Sequence, residues 1–196
     1  MNKLPTELLR EIMLVADHKS LQSLCFVNQY SQDLCQDQRF WDTKFTQHEL
    51  PLKMIRPFEE YKKHYKTNDI QTRIHIYQDL LNAQSEAYEA LTIYNQNLDR
   101  RFTIFLGESE LNVKEQRYFI PISPGDVMIK LKSDSFEPDY IQIVKNNDQY
   151  DIKYTVRHHD DFYSITKSVN TKTLIDMLTL MLYGNTNFYN FEINIS

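Results

Sequence analysis

Near the amino end, apolar residues recur every three or four positions, the spacing that lines them along one side of an α-helix. Leu8, Leu9, Ile12, Met13 and Ala16 form the first such stripe. Pro5 lacks a backbone donor and is tolerated in a first helical turn, and Glu7 sets negative charge at the positive dipole end, so this helix starts at about residue 5. Asp17 and Ser20 supply turn and N-cap chemistry for a second helix. Along it Leu21, Leu24, Val27 and Tyr30 fall three apart, and Leu34 continues the line. A third short element carries Phe40, Trp41 and Phe45. A unit of roughly forty-five residues buries too small a fraction of its surface to enclose all of these side chains, so part of the stripe is left for a partner.

Pro51 and Pro57 bracket a short extended connector, and a further helix follows from about Phe58. It sets Phe58, Tyr61 and Tyr65 on one side and the solvated Lys62, Lys63 and Lys66 elsewhere. From about Ile70 to Leu98 no Gly or Pro interrupts the chain, and Ile74, Tyr77, Leu81, Gln84, Tyr88, Leu91 and Leu98 recur at three, four and seven. This predicts a helix of about seven turns. Gln84 and the tyrosines weaken it as a coiled-coil seam, which favours a helix lying on the chain's own sheet and a monomer or weak homodimer.

Beyond Arg101 the period changes to two, the mark of strands with one buried and one wet face. Strands are predicted at 102–106, 118–122, 127–132, 140–145, 150–157 and 162–167, joined as an antiparallel meander with turns at Asn146 to Asp148 and His158 to Asp161. Thr171 can cap a helix that faces Leu174, Leu178, Met181 and Leu182 inward and stops at Gly184. Phe188, Phe191, Ile193 and Ile195 read as a last strand. The chain is thus predicted to be α+β: a three-helix domain over 1–48, a linker with a short helix over 49–69, and a mostly antiparallel sheet domain with a long helix and a C-terminal helix over 70–196.

The opening stretch resembles an F-box. Leu4, Pro5, Glu7, Leu8 and Ile12 match that family's Leu-Pro-x-Glu-Leu opening and the isoleucine after it, and Leu21, Leu24, Val27, Leu34, Asp37, Phe40 and Trp41 match the remainder. Met13, Asn28 and Ser31 depart from the pattern. The resemblance implies that Leu4, Pro5, Glu7, Leu8, Ile12, Leu24, Val27 and Trp41 form a surface for a Skp-type adaptor and, through it, a cullin ubiquitin ligase. The second domain would then select a protein target, with no chemistry of its own. An alternative keeps the fold as an interaction or decoy module that delivers nothing to a ligase.

Composition narrows the remaining classes. A net charge of −5 over 196 residues disfavours nucleic-acid binding as the main task. No run of eighteen apolar residues, signal-peptide core or lipidation motif is present, so a cytoplasmic or nuclear location without membrane attachment is expected. Cys25 and Cys35 have no His or Cys at metal-ligand spacing and read as reduced core thiols. Three glycines cannot build a phosphate loop. Joined to this form of F-box, the scarcity of Gly and wealth of Asn, Tyr and Ile resembles proteins encoded by large DNA viruses of amoebae, which implies a host-cell setting.

Neither a cofactor nor a metal is expected. One enzymatic outline needs testing: Pro138-Asp139 followed by Asp151-x-Lys153 has the shape of a metal-dependent nuclease motif. A hairpin turning near Asn147 sets Asp139 beside residue 157 and Asp151 beside residue 145, about 20 Å apart and too far to share a cation. His158, His159, Asp160 and Asp161 read as a solvated hairpin tip.

Overall fold

The computed structural model describes residues 5–51, 55–64, 69–97, 102–106, 139–158, 161–187 and 191–195. The chain is α+β. Its elements run α1 (Thr6–Val15), α2 (His18–Leu24), α3 (Gln29–Gln36), α4 (Gln38–Gln47), α5 (Ile55–His64), α6 (Asp69–Gln96), β1 (Phe102–Leu106), β2 (Asp139–Asn146), β3 (Gln149–His158), β4 (Asp161–Val169), α7 (Thr171–Asn187) and β5 (Phe191–Ile195). Two compact units result, Met1–Asn82 and Ala83–Ser196, and their boundary lies inside α6. Among the described residues no helix is long and apolar enough to cross a membrane.

In the first unit, Asp17 caps α2 as its sequence predicts, its Oδ1 accepting the Ser20 amide at 2.7 Å. That contact holds the Asp17 carboxyl below the usual carboxylate range. The single helix predicted through Leu34 is broken. The Phe26 and Val27 amides turn back onto the Ser23 and Leu24 carbonyls, 3.2 Å each. Asn28 then caps α3 by accepting the Ser31 amide at 2.9 Å. Local side-chain capping thus overrides the three-residue apolar period, and four helices rather than three precede His48.

The break also changes the cysteines. Cys25 at the end of α2 and Cys35 in α3 lie 5.8 Å apart between Cα atoms and form a disulfide, not the pair of reduced thiols expected. Around it the core collects Met13, Leu14, Leu21, Phe40, Trp41 and Phe45. Tyr77 of α6 packs against Trp41 and Phe45 with ring centroids 6.1 and 6.0 Å away. Phe58 and Tyr61 of α5, expected on one side of that helix, are both buried.

In the second unit the sheet order is β4-β3-β2-β1-β5, all neighbours antiparallel. The meander continues from β1 to β4, and the C-terminal strand returns to the other side of β1. Predicted strands 118–122 and 127–132 lie outside the described residues. Phe102, Ile141, Ile143, Tyr150 and Ile152 share a core with Ala87, Leu91 and Tyr94 of α6 and with Leu174, Ile175, Met177, Leu178 and Met181 of α7. The long helix therefore does lie on its own sheet in this unit, with Tyr88 exposed. Polar ties fix it: the Lys145 amide donates to Tyr94 Oη at 3.0 Å, and Asn95 Nδ2 donates to Tyr150 Oη at 2.9 Å. The cap of α7 is Asn170, whose Oδ1 accepts the Thr173 amide at 2.8 Å, rather than Thr171. The helix runs past the buried Gly184 to Asn187 instead of stopping there.

Candidate functional site

The apolar residues of α1 divide between two faces. Met13 and Leu14 point into the core, while Leu8, Ile12 and Val15, at spacings of four and three, remain 48, 39 and 75% exposed. The turn between α2 and α3 adds Phe26 at 46% and Val27 at 63%. Tyr30 Oη donates to the Thr6 carbonyl at 3.2 Å, which brings the start of α3, and with it this turn, to the beginning of α1. Most surface hydrophobics are scattered singly and need no explanation; here five lie on one helix and one turn of the same small unit.

Of the residues expected at a partner surface, Pro5, Glu7, Leu8, Ile12 and Val27 are exposed and Leu24 is half-buried. Leu4 lies outside the described residues. Trp41 is corrected to a core residue: it has no exposure in this chain, and its indole Nε1 donates to the Cys35 carbonyl at 2.8 Å. Val15 and Phe26 were not among the expected contacts. The i, i+4, i+7 relation of Leu8, Ile12 and Val15 carried the signal for the first.

What holds α1 in place is a buried cation. Lys44 Nζ donates to the carbonyls of Met13, Leu14 and Ala16 at 3.2, 2.8 and 2.7 Å. These belong to the end of the helix, where carbonyls lack intrahelical donors and the dipole favours positive charge. The ammonium also lies 4.8 Å from the centre of the Tyr77 ring. Burial pushes Lys44 down to about 8, with Asp17 pulling the other way. Burial, and after it Asp17, pushes Tyr77 up to about 12. His48 is held below the usual histidine range by burial and then by Lys44.

A second buried cation ties α4, α5 and α6. The Arg73 guanidinium lies 4.1 Å from the Phe58 ring centre and donates through Nη1 to Gln38 Oε1 at 3.1 Å. Burial lowers its pKa, opposed by Asp69, Asp37, Glu59 and Asp42. With carboxylates on these sides, it reads as a clamp rather than an anion site. Lys62 of the predicted lysine face pairs with Asp69 at 3.6 Å and lies over Phe58.

The nuclease outline does not assemble. The β2–β3 turn is Asn147–Asp148, with Asn147 in the left-handed region at φ 54°, and the register pairs Asp151 with Val144 and Tyr140 with Thr155. Each partner is numbered one lower than expected, Val144 in place of 145 and Thr155 in place of 156. Asp139 stands five residues along β2 from Val144, about 17 Å. Asp151 is engaged instead by Ser168 Oγ and by Asn146 Nδ2, contacts that lower its pKa. His158 and Asp161 pair at the ends of β3 and β4. Among the described residues no group of three or more His, Cys, Asp or Glu is placed to hold a metal ion. Comparison of the chain with protein-family models, with curated proteins and with solved structures returned no match.

Proposed function

We propose that the chain is a non-enzymatic recruiting subunit. Leu8, Ile12 and Val15 of α1, with Phe26 and Val27 of the neighbouring turn, dock a Skp-type adaptor of the kind the F-box resemblance implies, and through it a cullin ubiquitin ligase. The second unit holds a protein target. The mechanism is proximity: tethering the target near a conjugating enzyme raises its effective concentration without covalent chemistry in this chain. The work is then done in the cytoplasm or nucleus.

The observation that carries this reading is the exposed apolar stripe of α1 on a unit that packs Met13, Leu14, Leu21, Phe40, Trp41 and Phe45 inside. Aliphatic side chains buried at the centre of an interface each contribute about 1.5–3 kcal/mol. Replacing Leu8 and Ile12 together by Asp removes two of them and buries charge. Both are exposed in the isolated chain, so its folding stability should stay within about 0.5 kcal/mol. Capture of a purified Skp-type adaptor should weaken by a factor of at least about 10². Failure of the wild-type chain to bind the adaptor in a titration overturns the proposal, as does unaltered binding by the double variant.

A further inference from the structure

Disulfides in the cytosol are characteristically transient and redox-sensing rather than permanent. Here the single bridge encloses the turn that carries Phe26 and Val27. Cys25 caps the end of α2, Cys35 lies in the last turn of α3, and both are without solvent exposure. Between them Phe26, Val27, Asn28 and Gln29 are all exposed. The turn's backbone is held by two bonds of 3.2 Å and by the Asn28 cap.

We infer that the Cys25–Cys35 bridge is a redox latch on the docking turn: oxidised, it fixes Phe26 and Val27 for the partner, and reduced, it lets them go. This rests on the reading of those two side chains as docking residues. Cys25 borders the exposed turn, so local opening uncovers its sulfur first. Cys35 is backed by Trp41, which bonds its carbonyl at 2.8 Å. One thiolate of a dithiol reductant attacks Cys25 Sγ, and the bond pair leaves on Cys35 Sγ, which takes a proton. The second thiolate of the reductant then displaces Cys25, which takes the other proton, and the reductant departs as its own disulfide. Two electrons and two protons are transferred.

Bridging cysteines ten apart in sequence restricts the unfolded chain by a factor of roughly 10² in the unfolding equilibrium, and local opening of the turn draws on part of that. The test compares the full chain oxidised and after dithiothreitol, with Cys25→Ala plus Cys35→Ala as a thiol-free reference. Amide exchange at Phe26 and Val27 should quicken by about tenfold or more, the Leu9 amide inside α1 should keep its protection, and adaptor capture should weaken about tenfold. Unchanged exchange at the turn overturns the latch. So does loss of protection throughout the first unit, which makes the bridge a structural staple. Equal adaptor capture in both states refutes control of docking. Absence of capture in both states sinks the adaptor reading alone, and turn exchange then decides whether the latch exists.

Discussion

Lys44→Met puts the support of α1 to a quantitative test. The substitution keeps an unbranched apolar stem and deletes the ammonium, leaving the Met13, Leu14 and Ala16 carbonyls without the donor that reaches them at 3.2, 2.8 and 2.7 Å. Each buried acceptor left unsatisfied costs about 1–3 kcal/mol, and relief of the buried charge returns part of the sum, so a net loss of about 3 kcal/mol is expected. Denaturant unfolding at pH 7 followed by far-UV circular dichroism measures it. The pH dependence supplies a second, independent sign. The folded pKa of Lys44 is about 8 against 10.5 for a free lysine, so between those values the unfolded chain holds more protons. Wild-type stability should therefore rise relative to Lys44→Met as pH climbs from 8 to 10.5. A variant as stable as wild type within about 0.5 kcal/mol would show that the charge is merely tolerated and that Lys44 does not hold α1. Parallel pH curves would refute the depressed pKa while leaving the three bonds in place.

Trp41→Phe should cost about 2 kcal/mol through the orphaned Cys35 carbonyl and a small void, read as a lowered melting midpoint; a neutral result would put Trp41 back among candidate contacts. Asn170→Ala should lower stability by about 1 kcal/mol while Thr171→Ala costs less, and the opposite ranking in denaturant unfolding would restore Thr171 as the cap of α7. His48 resists protonation in the fold, so the unfolded chain gains protons first as pH falls below 6.5 and stability is lost there. A pH series on His48→Gln should show a flatter acid limb than wild type; identical limbs would remove His48 from the acid sensitivity.

The second unit was legible where period and turn chemistry agreed. β1 falls at Phe102–Leu106 as its alternation predicts, and the Asn-rich turn sets the β2–β3 hairpin to within one residue. In α6 the apolar positions Ile74, Tyr77 and Leu91 mark the helix, but Ala87 and Tyr94, not the periodic Gln84 and Tyr88, make the contact with the sheet. Alanine carries little hydrophobic signal, yet it lets a helix approach a sheet closely. Asn170 and its neighbour Thr171 are both capping residue types, and only the bond from the Thr173 amide distinguishes them.

In the first unit the helix break and the disulfide are one event. A continuous helix through Leu21, Leu24, Val27 and Leu34 would separate Cys25 from Cys35 by about 15 Å, which rules out a bridge. Asn28 breaks that helix, and the same break turns Val27 outward and lets the two sulfurs meet. Lys44 was illegible for a different reason. Lysine is almost never fully buried, although this one follows Phe40 by four and precedes Phe45 on the same inward stripe. A charge at an apolar position asks for partners, and the chain supplies them from the end of α1, thirty residues earlier. The departures from the F-box pattern have local roles as well: Met13 fills the core, Asn28 caps α3, and the buried Ser31 donates its amide and hydroxyl to that cap. They fall on the packed or capping side, so they leave the exposed Leu8 and Ile12 free to carry the recognition that the resemblance implies.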